Sequence, residues 1–230
     1  MSRFFLSSKG SAQEHTLGEC LAHDFQRDFL WVHLDGKVDD VDTILMQFAD
    51  IPLQAVAALK AQETRPRCTQ FGAGALVNMR GLGATSAIDG DPLVSIRFWA
   101  QRGLVVSLSY RELGVFVRLV ERMLKGKLTD PGDLIAATAM EITDALDPEI
   151  ADLGDALDAI ESSVLEDGST VERRKVAQLR AEAIAYRRFL APQRQATERL
   201  MAMPTDWLEP DDRLPLQAAA ERCPRTVGEP

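Results

Sequence analysis

Three sets of residues in this sequence have the types and spacing to do chemistry. Asp152, Asp155, Asp158 and Glu161 recur every three residues, which lines carboxylates along one side of a helix. Such a stripe attracts hard divalent cations weakly; a solvated helix surface has the same pattern. His15, Cys20 and His23 form the second set. Imidazole and thiolate are zinc ligands, and Cys20 and His23 share a face if their segment is helical, although no fourth ligand or zinc-finger spacing accompanies them. Arg65, Arg67, Arg80 and Arg97 are the third set: donors for an anion if they converge, partners in surface ion pairs if they do not.

Catalytic arrangements are missing from the local sequence. His15, His23 and His33 are the chain's 3 histidines, and none stands in a nucleophile signature. Gly72-Ala73-Gly74 lacks the third glycine of a dinucleotide cradle and precedes a strand, so it reads as a hairpin turn. The chain is therefore read as a non-enzyme that requires no cofactor, with a divalent cation, zinc, as the ligand to consider.

The acidic stripe must be positioned by helices, and the apolar spacing supplies them. Ile150, Leu153, Leu157, Ile160 and Val164 alternate three and four apart, the seam of a heptad helix. After the turn-like Glu166-Asp167-Gly168-Ser169-Thr170 the spacing resumes at Val176, Leu179, Ala183, Tyr186 and Leu190. A second arm over 171–203 would be roughly 50 Å long at 1.5 Å per residue. The short connection predicts an antiparallel hairpin over 148–203. The first arm is acidic and the second carries Arg173, Arg174, Lys175, Arg180, Arg187, Arg188, Arg194 and Arg199, so the charges agree with that pairing. Pro148 is expected in the first turn of the hairpin, and Pro192 is expected to bend the second arm.

Upstream, residues 3–6 read as an edge strand and 7–13 as a turn. Leu30 to Asp35 is a buried strand by its aromatic and β-branched content. Helices are expected over 40–48 and 53–61. Four strands follow at 67–71, 75–81, 93–100 and 104–110, separated by Gly-rich turns or loops. The period then becomes helical over 112–124, and Pro131 opens another helix with Leu134, Ile135, Thr138, Ile142 and Leu146 inward. These elements describe an α/β domain with a mixed sheet over 1–147. Residues 148–222 hold the hairpin and the start of a further stalk helix, which begins near Asp211, and 223–230 form a tail.

Composition sets limits on partners. The net charge of −9 argues against a general nucleic-acid binder. The 3 cysteines are odd in number and widely spaced, as in a reducing compartment. The first residues lack the apolar core of a signal peptide. Nowhere do 18 consecutive apolar residues occur, so no bilayer-spanning helix is expected.

Five segments together resemble one family. They are Leu30-Trp31-Val32-His33-Leu34-Asp35, Glu63-Thr64-Arg65-Pro66-Arg67, Val77-Asn78-Met79-Arg80-Gly81-Leu82, Val94-Ser95-Ile96-Arg97-Phe98-Trp99, and Tyr186-Arg187-Arg188-Phe189-Leu190-Ala191-Pro192-Gln193-Arg194. In consistent order over 30–220, the chain resembles the N-terminal portion of CorA-like metal transporters, in particular the ZntB zinc-transporter branch. The last segment is the most specific, because a proline within a long helical pattern is not generic coiled coil. The resemblance implies a cytosolic α/β/α domain and long helices leading to two transmembrane helices, with five copies forming a funnel around a pore. The family's Gly-Met-Asn loop has no counterpart here, since Asn78-Met79 lies in a β region. The pattern is left near Cys223, so the expectation is a cytosolic fragment or truncated product, unable to conduct alone and weakly pentameric at best. It would touch the membrane only through helices it lacks. A free-standing coiled-coil adaptor is the competing expectation.

Overall fold

A computed structural model describes residues 2–8, 10–22, 27–38, 40–48, 51–62, 65–85, 91–167 and 170–223, and over 161–167, 170–173 and at 185 the backbone alone. Its centre is a seven-stranded sheet in the order β2-β1-β3-β7-β6-β5-β4. The strands are β1 Arg3–Ser8, β2 Ser11–His15, β3 Phe29–Asp35, β4 Arg67–Phe71, β5 Gly74–Leu82, β6 Leu93–Gln101 and β7 Leu104–Ser109. All neighbours are antiparallel except β3 and β7, so the sheet is mixed, as expected. Alternate residues of each strand point to opposite faces, and both faces are apolar. Ile96, Phe98 and Ala100 enter one core and Trp99 the other.

The helices cover those faces in two layers. α1 Leu17–Cys20, α2 Val41–Leu45 and α3 Leu53–Lys60 bury Cys20, Val41, Leu45, Ala55 and Leu59 against Leu30, Val32, Leu76, Trp99 and Val106. On the other face lie α4 Phe116–Leu124, α5 Pro131–Asp167, α6 Thr170–Met201 and α7 Pro210–Arg222, burying Leu119, Ile135, Ile142, Leu190, Leu200 and Leu216. The result is the α/β/α arrangement with a helical hairpin.

The hairpin turn at Gly72-Ala73 joins β4 to β5, with Phe71 paired to Gly74. Gly72 has φ +58, a left-handed conformation that glycine adopts without steric cost. A Cβ on Gly74 would collide with the Trp99 ring. Both glycines of the G-x-G pattern thus serve a tight turn and close packing rather than a phosphate.

Several local expectations are corrected. Residues 7–13, expected in a turn, instead complete β1 at Ser7 and Ser8 and open β2 at Ser11, which makes β1 an interior strand; the ladder between the two strands supplies what a polar sequence did not advertise. The helix expected over 40–48 is confined to Val41–Leu45. Pro148 is not at a helix start: α5 runs continuously through it, so the division expected at 147/148 falls inside one helix. Pro148 offers no N–H to the Asp144 carbonyl, yet the dense packing of the preceding turns holds the helix. α6 likewise continues through Pro192. α7 turns back onto α5 and α6, burying Leu216, Ala219 and Ala220. No helix among the described residues is long and apolar enough to cross a membrane.

Candidate functional site

The acidic stripe stands on the outer arm of α5. Asp152, Asp155 and Asp158 are exposed, while Leu153 is buried and Ile150 and Leu157 are partly buried towards α6. Heptad spacing explains this division, because the apolar seam faces α6 and leaves the carboxylates on the other side. Glu161 lies on the same helix, in the part described by backbone alone. The arrangement is an exposed acidic surface, able to raise cation density within the screening distance of about 8 Å in physiological salt.

The arginines divide. Arg65 and Arg67 are exposed. Arg80 is half-buried; its Nη2 donates to Asp91 at 2.6 Å and to the Leu93 carbonyl at 2.8 Å, and its guanidinium stands 3.9 Å from the Phe189 ring centre. Arg97 is only 1% exposed. Its Nη2 donates to the Gln62 carbonyl at 2.9 Å, and its guanidinium lies over Tyr110 at 5.1 Å. Register pairs Arg67 with Asn78 and Asn78 with Arg97, so one row of the sheet carries all three, with Arg80 two residues along the same face. Arg97 Nε and Nη1, Arg80 Nε and both amide atoms of Asn78 are buried without hydrogen bonds. Burial lowers the Arg97 pKa, Tyr110 opposes that shift, and Arg80 adds to it.

His15 and Cys20 are placed apart from a metal-holding group. His15 lies on β2 with Nδ1 3.8 Å from Glu19 Oε2. Cys20 is fully buried in the α1 to α3 core, and burial pushes its thiol up to about 11, disfavouring the thiolate that metals bind. Neither belongs to a described group of three or more side chains able to share an ion; His23 lies outside the described residues. His33 does acquire a hydroxyl neighbour, since its Nδ1 is 2.9 Å from Ser107 Oγ, which also accepts from Trp31 Nε1 at 2.8 Å. Ser107 is fully buried, and burial drives His33 down to about 3. This is a neutral core network, not an accessible nucleophile with its base.

The group that sequence reasoning missed is Asp130, Asp133 and Asp212, each of which offers one carboxylate oxygen within 4.8 Å of those of the other two. Each has a local helix-start role. Asp130 Oδ1 accepts from the Asp133 N–H at 2.9 Å, and Asp133 Oδ2 accepts from the Thr129 N–H at 2.8 Å. Asp212 Oδ2 accepts from the Glu209 N–H at 2.7 Å. Asp130-Pro131 and Glu209-Pro210-Asp211-Asp212 each signal a helix start; their meeting in space has no local signal.

Residues 26–229 match the model of the CorA-like Mg2+ transporter protein family. The chain belongs to that family. Among CorA-like relatives it is 28% identical over 196 residues to the zinc transport protein ZntB of Pectobacterium atrosepticum, an alignment covering 85% of this chain and 60% of that protein. It therefore spans about three-fifths of the curated relative's length. The structure of full-length CmaX overlays 96% of this chain and 69% of its own with a TM-score of 0.82 at 26% identity. The ZntB cytoplasmic domain of Vibrio parahaemolyticus overlays 96% of this chain and 86% of its own with a TM-score of 0.76 at 16% identity, a likeness of fold. The CorA-like assignment explains why segments scattered from Leu30 to Arg194 keep one order. One of them has a visible structural use: Gln193, buried on α6, accepts the Arg80 backbone N–H at 2.7 Å through Oε1. That contact ties the long helix to the sheet.

Proposed function

We propose that this chain is the cytosolic funnel and regulatory part of a CorA-like divalent-cation transporter, with zinc as the ion. The observation that carries the reading is the overlay of 96% of the chain on full-length CmaX at a TM-score of 0.82. The name zinc transport protein ZntB belongs to the Pectobacterium relative, and is the source of the zinc assignment. In this reading five copies surround a central passage, and the pore is made by membrane helices beyond the described residues. Asp152, Asp155, Asp158 and Glu161 concentrate cations at the funnel surface without holding an ion in a fixed shell. Arg65, Arg67, Arg80 and Arg97 receive a small anion, with Asn78 between Arg67 and Arg97 in the sheet, a reading supported by the buried unpaired donors of Arg97 and Asn78. His15, Cys20 and His23 remain a candidate zinc set, although Cys20 is buried. No catalytic step is assigned.

A chimera joining this chain to the membrane portion of the Pectobacterium protein tests the reading in liposomes. Zinc flux is expected, reduced when Asp152, Asp155 and Asp158 are changed together to Asn. A chimera that assembles and carries no zinc overturns it, and a chain that only captures partner helices through its hairpin supports the adaptor instead. Isothermal titration of the chain with zinc separates sensing from scaffolding: no heat and an unchanged Tm exclude a zinc sensor.

A further inference from the structure

Helices α5 and α7 lie side by side and run in the same direction. Asp212, in the first turn of α7, meets Asp130 and Asp133 at the start of α5. Arg222, in the last turn of α7, pairs further along α5 with Asp144 at 2.6 Å and Asp147 at 2.5 Å. Parallel neighbours bring two positive helix ends together, which accounts for carboxylates gathering there. The two ends of the α7 contact are closed differently. Opposite charges meet in the open at Arg222, whereas three acids meet at Asp212, which is only 4% exposed. Like charges this close do not all ionise together. Asp212 also rests on the α5 backbone, where a Cβ on Gly132 would collide with its Oδ2.

We propose that Asp130, Asp133 and Asp212 form a proton-operated latch: a shared proton holds the first turn of α7 against the first turn of α5, and its loss loosens α7. The inference goes beyond the transporter reading and does not depend on which ion is carried. The charged groups bearing on Asp212 among the described residues are Asp130, Asp133 and Glu209. Arg213, beside it on α7, turns its guanidinium to the Met201 carbonyl at the end of α6. Burial raises the Asp212 carboxyl to about 7, opposed by the Glu209 N–H and reinforced by the neighbouring acids; burial raises Asp130 as well. Docked α7 thus binds a proton more tightly than undocked α7. Docking is strongest below the ordinary carboxylate range and weakens as pH rises to about 7, levelling off above it.

Hydrogen–deuterium exchange on the full chain, with EDTA throughout, reads this at the amides of Pro210–Arg222. After correction for intrinsic exchange, protection is expected to fall roughly tenfold between pH 6 and pH 8, the change that linkage assigns to one proton released near pH 7. Asp212→Asn keeps an acceptor for the Glu209 N–H and is expected to abolish that pH response. Unchanged wild-type protection, or the same response in D212N, overturns the latch. Should D212N not fold, a carbon-13 NMR titration of the wild-type aspartates decides. One carboxyl titrating near pH 7 supports the latch, and all of them titrating below about 5, in the ordinary carboxylate range, overturns it.

Discussion

The sheet-bound and outer halves of α5 are one helix held by two different means. Over 131–147 the helix is enclosed: Leu134, Ile135, Ala136, Ala137, Thr138, Ala139, Ile142, Thr143 and Leu146 are all buried between β5, α4 and α7. Beyond Pro148, Leu153 is the buried residue among those described, with Ile150 and Leu157 partly buried against α6. The first half is kept by a core assembled from distant parts of the chain. The second is kept by one seam with a single partner. Continuity of a helix therefore says nothing about uniform stability, and the outer arm is expected to open locally before the inner half does.

The sharpest test of that contrast is Ile142→Ala. Ile142 is fully buried and its Cγ1 lies where a Cβ on Gly81 would come within 2.9 Å. Truncation there is expected to cost about 2–5 kcal/mol of unfolding free energy in urea titration, with loss of protection across the whole inner half. A cost below about 1 kcal/mol would mean that this half is not core. Next in size is Gln193→Ala, which strands the Arg80 N–H; about 1–3 kcal/mol is expected, read as a lower Tm and faster exchange at Arg80.

Leu157→Ala probes the outer arm. Being partly buried, it is expected to cost roughly 1 kcal/mol, less than full burial of such a side chain is worth. Exchange should rise over 150–160 and stay unchanged over 131–147. The smallest effect is expected for Arg102→Ala. Its pair with Asp206 spans 2.9 Å, but both side chains are more than half exposed, at 51% and 57%, so denaturation should register about 0–1 kcal/mol.

Legibility followed the range of the physical cause. β3 to β7 were readable because alternation and Gly turns are local. β2 escaped because Ser11-Ala12-Gln13-Glu14-His15 has Ala12 as its one buried residue, and its strand form comes from pairing with β1. Pro148 misled because proline suits a first turn, while the buried face before it was what kept α5 unbroken. The hairpin seam and the exposure of Asp152, Asp155 and Asp158 were readable from spacing. The convergence of Asp130 and Asp133 with Asp212 was not, because nothing in either segment names the other.

By itself the sequence determined the period of each segment, and with it the strands from β3 onward, the two long arms, the acidic stripe and the likeness to CorA-like transporters. Those features depend on residues a few positions apart, where side-chain direction is set by backbone geometry. Only the tertiary structure decided that α7 folds back parallel to α5, that Arg97 and Asn78 are buried together, and that an aspartate near the chain's end shares space with two at the start of α5. Burial and electrostatic coupling depend on distance in space, which chain order does not specify.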